Sequence, residues 1–199
     1  MTVLTHRPAS ICPSCRQPFR ADIPVPSSGW TLVELLIGLS LAAMLVALAL
    51  PFYGGWIADY QVRNHAELLA GTMNIARAEA IKRGRRVNLC KSADRRNCAT
   101  AGGWEAGYVV HVDADRDGDI DAGEAALRVQ EAATQGITIR GNRPVADYVS
   151  YTSLGSARLL NGALQMGTFT VCKSGRPAID VVLANSGRAR IQRTAVTCP

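Results

Sequence analysis

The sequence predicts an α+β fold in which one long N-terminal helix precedes an antiparallel β-sheet. The first indication is an uncharged run over residues 35–50, within a segment from Trp30 to Ile57 whose one charged residue is Glu34. The second is a helical period that resumes at about Ile57 and continues to Arg83. The third is a series of short strand-like segments after residue 86, separated by turn residues. A helix followed by closely spaced strands is typical of the α+β class.

The uncharged run predicts a membrane helix over residues 30–57. At about 1.5 Å of rise per residue, the segment from Trp30 to Ile57 is long enough for a bilayer core of roughly 30 Å. Glu34 stands near the start of this helix. Ionisable residues inside membrane helices are costly and usually functional. The alternative is an ordinary signal anchor that tolerates one acid.

The segment Gly29-Trp-Thr-Leu-Val-Glu-Leu-Leu-Ile resembles the processing site of type IV pilins and type II secretion pseudopilins. The resemblance implies that prepilin peptidase removes a leader, residues 1–29, by cutting after Gly29, and methylates the new N-terminus at Trp30. It also implies that the free amine of an incoming subunit neutralises Glu34 of its neighbour during assembly. Trp30 stands where the family usually has phenylalanine, and Pro-Ser-Ser replaces the usual basic residues before the glycine.

Two further segments resemble the GspH/FimT branch of pilin-like proteins. They are Ala76-Arg-Ala-Glu-Ala-Ile-Lys-Arg with Val87-Asn-Leu-Cys-Lys-Ser, and Trp104-Glu-Ala-Gly-Tyr-Val-Val. The resemblance implies a pilin-like fold, a soluble domain over residues 58–199, and a minor pilin or pseudopilin function. Implied partners are other pilin subunits, prepilin peptidase and the bacterial inner membrane. The implied topology is single-pass, with a cytoplasmic N-terminus and a periplasmic domain that assembles into a periplasmic pseudopilus or an extracellular pilus.

The second helical segment carries an apolar stripe that should pack on the sheet. Its members recur at steps of three and four residues: Val62, Leu69, Met73, Ala76 and Ala80. His65 lies within this stripe, where a packed core residue is expected rather than a ligand. The helix should end at Gly84, a residue suited to a helix C-cap.

Eight strands are expected beyond Gly84, and turn pairs such as Gly-Gly, Asn-Gly and Ser-Gly separate them. They are Val87–Cys90, Tyr108–Val112, Leu127–Val129, Ile137–Arg140, Tyr148–Tyr151, Thr168–Cys172, Ile179–Leu183 and Arg188–Gln192. Their close spacing favours an antiparallel arrangement on the second half of the helix.

The six cysteines divide between the leader and the predicted soluble domain. Cys12 and Cys15 form a C-x-x-C in the leader, with no second pair near enough to complete a zinc site. The four others are Cys90, Cys98, Cys172 and Cys198. Four cysteines allow three pairings, of which local closure favours Cys90–Cys98 with Cys172–Cys198. Disulfides in a small exported domain indicate an oxidising compartment.

The segment Asp113-Ala-Asp-Arg-Asp-Gly-Asp-Ile-Asp-Ala-Gly-Glu124 matches the twelve-residue calcium loop of an EF-hand. The candidate ligands are Asp113, Asp115, Asp117, Asp119, Asp121 and Glu124. An EF-hand requires flanking helices, whereas strands are predicted on both sides here. Two interpretations remain open: a helix-free Ca²⁺ loop, and a solvated hairpin turn with tolerated acids.

Net charge is +6, and the excess of positive charge lies at the C-terminal end. Residues 125–199 contain nine Arg or Lys and three Asp or Glu. Gly187-Arg-Ala-Arg190 resembles the Gly-Arg-x-Arg pattern of FimT-type competence pilins, which implies DNA binding for DNA uptake. In a strand Arg188 and Arg190 would point the same way, with Arg193 as a possible extension. The alternative is a last strand whose arginines serve solubility.

The sequence argues against an enzyme. The histidines after the leader, His65 and His111, belong to no Ser-His-Asp or Cys-His pattern. The chain also contains no phosphate-binding loop, no dinucleotide fingerprint and no His-Glu-x-x-His. The predicted function is therefore structural, with DNA binding as the alternative.

Overall fold

The computed structural model describes residues 29–124 and 126–199, without the side chains of residues 49–52. The predicted leader up to Ser28, with its Cys12 and Cys15 pair, lies outside the described residues. The described part of the chain divides into two compact units, one that ends at Leu45 and one over residues 46–199. Each unit contains part of the single long helix.

Helix α1 runs from Leu32 to Arg83. In the first unit its side chains are exposed and almost all apolar, and Glu34 is the one charged residue among them. By length and hydropathy, none of the described helices qualifies alone as a membrane span. The bent pair Leu32–Leu48 and Tyr53–Arg83 meets the two criteria together.

In the second unit, α1 buries the predicted apolar stripe. All five residues of the stripe are buried, and Ala66 and Ala70 join them. The helix ends at Arg83, and Gly84 follows with a φ of +62°. The Gly84 N–H donates to the Ile81 carbonyl at 3.3 Å, as expected for a glycine that closes a helix.

The described residues form eight strands, each overlapping one of the predicted segments. They are β1 Arg86–Lys91, β2 Tyr108–Asp113, β3 Ala126–Gln130, β4 Ile137–Gly141, β5 Tyr148–Tyr151, β6 Gly167–Lys173, β7 Pro177–Leu183 and β8 Ala189–Thr197. They build two four-stranded sheets, in the orders β3-β2-β1-β5 and β4-β6-β7-β8. Every pairing between these strands is antiparallel.

One hydrophobic core joins the second half of α1 to both sheets. A short 3-10 turn, Trp104–Ala106, places the fully buried Trp104 in this core. Its ring meets Phe169 edge-on at 5.1 Å between centroids, and its indole N–H donates to the Ala146 carbonyl at 3.0 Å. The buried aromatic ring therefore has both apolar contacts and a partner for its polar atom.

Candidate functional site

The predicted processing and assembly residues lie together at the exposed start of α1. Thr31 precedes the helix, and its Oγ1 accepts the Glu34 backbone N–H at 3.2 Å. Thr31 is therefore the helix N-cap, and Glu34 lies in the first turn, where the helix dipole favours negative charge. Sequence reasoning missed this cap, although Thr-x-x-Glu before an apolar run is a known capping signal. Trp30 is 81% exposed, and a Cβ added at Gly29 would meet no atom within 4 Å.

The acidic loop Asp113–Glu124 connects β2 to β3, so strands rather than helices flank it. Carboxylate oxygens of Asp113, Asp115 and Asp117, the first three predicted ligands, lie within 4.8 Å of one another. Repulsion from Asp117 above all, with slight desolvation and the other loop acids, raises the pKa of the exposed Asp121. The fold thus concentrates negative charge in the loop that the sequence offers either as a Ca²⁺ loop or as a solvated turn.

Glu124, the last of the candidate ligands, has partners of its own in the structure. Its Oε1 accepts the Ala114 backbone N–H at 2.7 Å, and its Oε2 lies 3.5 Å from Nδ1 of His111. His111 is fully buried, and its Nε2 lies 3.8 Å from the disulfide-bonded Sγ of Cys98. A Ca²⁺ ion at the three converging aspartates would compete with these contacts for Glu124.

Basic residues also border the loop. Arg85, Arg86 and Arg116 line a hollow of about 400 Å³ together with Asp113. The Asp113 carboxylate accepts hydrogen bonds from Asn88 Nδ2 and from the Arg116 backbone N–H, both at 2.7 Å. A cation at the three carboxylates would share Asp113 with these neutral donors, which occupy both of its oxygens.

The cysteines of the soluble domain form two disulfides. Cys90 bonds to Cys98, with 5.5 Å between their Cα atoms, and Cys172 bonds to Cys198, with 5.6 Å. This is the pairing, of the three allowed, that local closure favours. The first bridge ties the end of β1 to the following loop, and the second ties β6 to the end of the chain.

Arg188 and Arg190 line one shallow hollow of about 720 Å³ at the end of the second sheet. Segments 166–168 and 182–186 complete the lining, and none of these described residues is acidic. Arg188 directly precedes β8, and Arg190 lies within it, opposite Val182 of β7. Both arginines are exposed. The structure thus brings the two arginines to one hollow, although Arg188 lies just outside the strand in which both were expected.

Arg193 does not join them. In the β7–β8 register Arg190 pairs with Val182 and Arg193 pairs with Ile179, so the two arginines lie on opposite faces of the sheet. Arg193 lines a different hollow, beside Trp56 of α1. The spacing of three residues could have revealed this from the sequence, because side chains in a strand alternate.

His65 is half-buried against the loop before β4. Its Nε2 accepts the Thr134 backbone N–H at 3.2 Å and lies 3.1 Å from Thr134 Oγ1. Burial lowers the pKa of His65, consistent with a neutral ring that accepts a hydrogen bond. Within the described chain, neither His65 nor His111 is hydrogen-bonded to a serine hydroxyl or a free thiol. Both histidines thus have structural neighbours rather than catalytic ones.

The family relationship rests on the domain that carries these features. The protein-family model described as type II transport protein GspH matches residues 65–187. The chain belongs to the GspH family. The matched region extends from the second half of α1 to the start of the Gly-Arg-x-Arg segment. No curated protein sequence matches this GspH-family chain significantly.

Solved structures share the fold of this GspH-family chain. The type IV minor pilin FimU of Pseudomonas aeruginosa, in space group P21, is 19% identical, with a TM-score of 0.54, and the match covers 69% of the chain and 92% of FimU. FimU in space group P65 is 21% identical, with a TM-score of 0.50, and the match covers 65% of this chain and 91% of FimU. The minor pseudopilin EpsH of the Vibrio cholerae Type 2 Secretion System is 13% identical over 67% of this chain and 97% of EpsH, with a TM-score of 0.46. The FimU matches confirm the predicted pilin-like α+β fold.

Proposed function

We propose that this chain is a minor pilin or pseudopilin, a structural subunit of a type II secretion pseudopilus or a type IV pilus. The observation that carries the proposal is the start of α1, where a GspH-family domain is preceded by an exposed apolar helix with one acid in its first turn. Prepilin peptidase would cut after Gly29 and methylate Trp30. The partners are the peptidase, the inner membrane and other pilin subunits, and the protein is not an enzyme.

The apolar surface of the first half of α1 must be covered both before and after the subunit is assembled. Its large side chains from Leu32 to Leu48 are exposed to about half or more of their area. Such a contiguous apolar surface is a site for membrane or protein contact. Before assembly the bilayer covers it, and after assembly the helices of neighbouring subunits do. The domain lies in the periplasm before assembly, and in a periplasmic pseudopilus or an extracellular pilus afterwards; its two disulfides persist in either oxidising compartment.

Glu34 would direct the transfer between these environments. A carboxylate in apolar surroundings is strongly disfavoured unless a cation pairs with it. The free amine at Trp30 of an adjacent subunit provides that cation and a charge-assisted hydrogen bond. Docking therefore neutralises the one acid of the apolar helix and fixes the register between subunits.

The test compares fibre incorporation of Glu34→Gln and Thr31→Ala in producing cells, at equal membrane levels. Glu34→Gln should lower incorporation about a hundredfold or more, because breaking a buried ion pair costs about 3–5 kcal/mol. Thr31→Ala removes the helix cap and keeps the carboxylate, so incorporation should stay near that of the wild type. Equal losses in the two variants would mean that Glu34 acts only through the helix end, contrary to the proposal.

DNA binding is the second candidate function. The observation that favours it is the shared hollow of Arg188 and Arg190, which has no acid in its described lining. Guanidinium groups bind phosphate oxygens in a bidentate manner. Two of them at an exposed sheet edge would hold a DNA backbone with little sequence preference and strong salt dependence.

An electrophoretic shift assay separates this candidate from a purely structural subunit. Arg188→Ala with Arg190→Ala should abolish retardation of DNA at low salt. Arg193→Ala removes a charge of the same sign from the opposite face of the same strand, so it should retain most of the retardation. No retardation by the wild type, or equal losses in the two variants, would remove the hypothesis.

A further inference from the structure

Three aromatic side chains of α1 point away from the core just after the apolar run. Tyr53, Trp56 and Tyr60 are 60%, 69% and 61% exposed. Their spacing of three and four residues places them on one face of the helix, whereas Ala58 and Val62 on the opposite face are buried. The rings of Trp56 and Tyr60 stack with 6.3 Å between centroids. The fold of the domain itself does not use this face, which marks it as a contact surface.

A hollow of about 450 Å³ lies beside this face, between α1 and strands β7 and β8. Trp56 and Tyr60 form one wall, and Arg193 of β8 lies in the lining. The other charged residues of the lining already have partners: Arg63 pairs with Glu67, and Asp59 pairs with Arg176. Arg193 makes no ion pair with a described residue. The hollow thus combines aromatic walls with one uncompensated guanidinium.

We propose that this surface, formed by Tyr53, Trp56, Tyr60 and Arg193 and here named the aromatic shoulder, docks onto the phospholipid headgroup layer of the membrane. The aromatic rings would lie among the glycerol and upper acyl groups, and Arg193 would bind a lipid phosphate. The inference rests on the proposed membrane anchor and adds to it a second, peripheral contact made by the soluble domain.

Three arguments favour lipid over a second copy of the chain. Trp and Tyr, with an apolar ring and a polar tip, are the residues enriched at membrane–water interfaces. Arginine suits phosphate because it donates two parallel hydrogen bonds. Nineteen residues separate Glu34 from Tyr53, and an ideal helix of that length rises about 28 Å, close to the roughly 30 Å of a hydrocarbon core. The shoulder therefore begins where the apolar helix should leave the bilayer.

The test uses tryptophan fluorescence of the full processed chain in vesicles, diluted so that vesicles rarely hold two chains. In Trp30→Phe the remaining tryptophans are Trp56 and the fully buried Trp104. Lipids brominated along the acyl chain should quench Trp56, and its emission should shift to the blue. The double variant Trp30→Phe/Trp56→Phe reports Trp104 alone and should show neither effect.

Lipid charge tests the arginine. Quenching of Trp56 should be stronger in vesicles rich in phosphatidylglycerol than in phosphatidylcholine alone. Arg193→Gln should remove this difference, and Arg190→Gln, on the opposite face of β8, should preserve it. An unchanged difference in Arg193→Gln would overturn the role of Arg193.

The variant Trp56→Phe, which keeps Trp30, separates this inference from the anchor itself. If Trp30 is quenched in Trp56→Phe while Trp56 keeps a water-exposed emission in Trp30→Phe, the docking proposal is wrong and the membrane anchor stands. If Trp30 is not quenched and the chain does not float with the vesicles, the membrane-anchored subunit fails and docking fails with it. If the emission of Trp56 shifts to the blue only when each vesicle holds many chains, the occupant of the surface is a second copy of the chain. That result would overturn the lipid assignment.

Discussion

At the scale of single residues, backbone N–H groups hold several of the acidic side chains. Asp94 accepts the backbone N–H groups of Asn97 and Arg96, and these bonds hold its pKa far below the usual range. Glu124 accepts the Ala114 N–H in the same way. The acidic loop is therefore already closed by local hydrogen bonds, and a bound cation would add stability rather than fold the loop.

We predict that calcium raises the melting temperature of the protein and gives a measurable heat of binding at millimolar concentration. A ligand that binds the folded state alone stabilises it by about 2.7 kcal/mol at one hundred times its Kd. Asp115→Asn with Asp117→Asn should abolish both signals. Glu131→Gln, which removes an exposed acid outside the loop, should leave them unchanged. Absence of heat and of a thermal shift in the wild type would leave the loop as a solvated turn.

Stability should also depend on the protonation of His65. Its pKa is lowered in the folded state, so the unfolded chain binds the proton more readily. The contribution of neutral His65 to the free energy of unfolding is complete above the pKa of His65 in the unfolded chain, about 6.5. It is lost as the pH falls from there towards the lower pKa of the folded state. Chemical denaturation between pH 7.5 and 5.5 should show a decline that His65→Gln reduces, because Gln does not titrate. An equally steep decline in that variant would assign the effect to another group.

At the scale of elements, the strands were predictable and the irregular pieces were not. Alternating residues between turn pairs revealed all eight strands, but β8 runs on to Thr197, five residues past the predicted end. Its pairing reaches Pro177 opposite Thr197, next to the bridge at Cys198. This contact between distant parts of the chain cannot be predicted from the pattern of neighbouring residues in the sequence. The 3-10 turn at Trp104 was missed because three residues carry no period.

The two disulfides should differ in what their removal costs. On a loop-entropy account, a bridge that closes a longer loop restricts the unfolded chain more. The separations are 26 residues for Cys172–Cys198 and 8 for Cys90–Cys98. We expect a loss of about 3.5 kcal/mol for Cys172→Ala/Cys198→Ala and about 2.5 kcal/mol for Cys90→Ala/Cys98→Ala. Urea denaturation measures both, and the reverse order would show that packing around the buried Cys90 outweighs chain entropy.

At the scale of the whole molecule, one helix serves two purposes. Its second half supplies the buried stripe of a GspH-family domain, and its first half presents an almost entirely apolar surface with Glu34 as its one charged residue. Hydropathy and helical period revealed this division from the sequence alone. The β7–β8 register was needed to show that Arg190 and Arg193 lie on opposite faces of the sheet. The packing of the acidic loop was needed to show which groups contact Glu124.

The most direct test of the filament-subunit account is mass spectrometry of the N-terminus of the chain recovered from membranes of producing cells. We predict that it begins at Trp30 and carries a methyl group. An added Cβ meets no atom within 4 Å at Gly29 or at Gly38, so the two alanine substitutions are a matched pair. Gly29→Ala should prevent the cut because it changes the residue before the cleaved bond. Gly38→Ala, which lies away from that bond, should not. A mature chain that retains the leader, or begins elsewhere, would contradict the account.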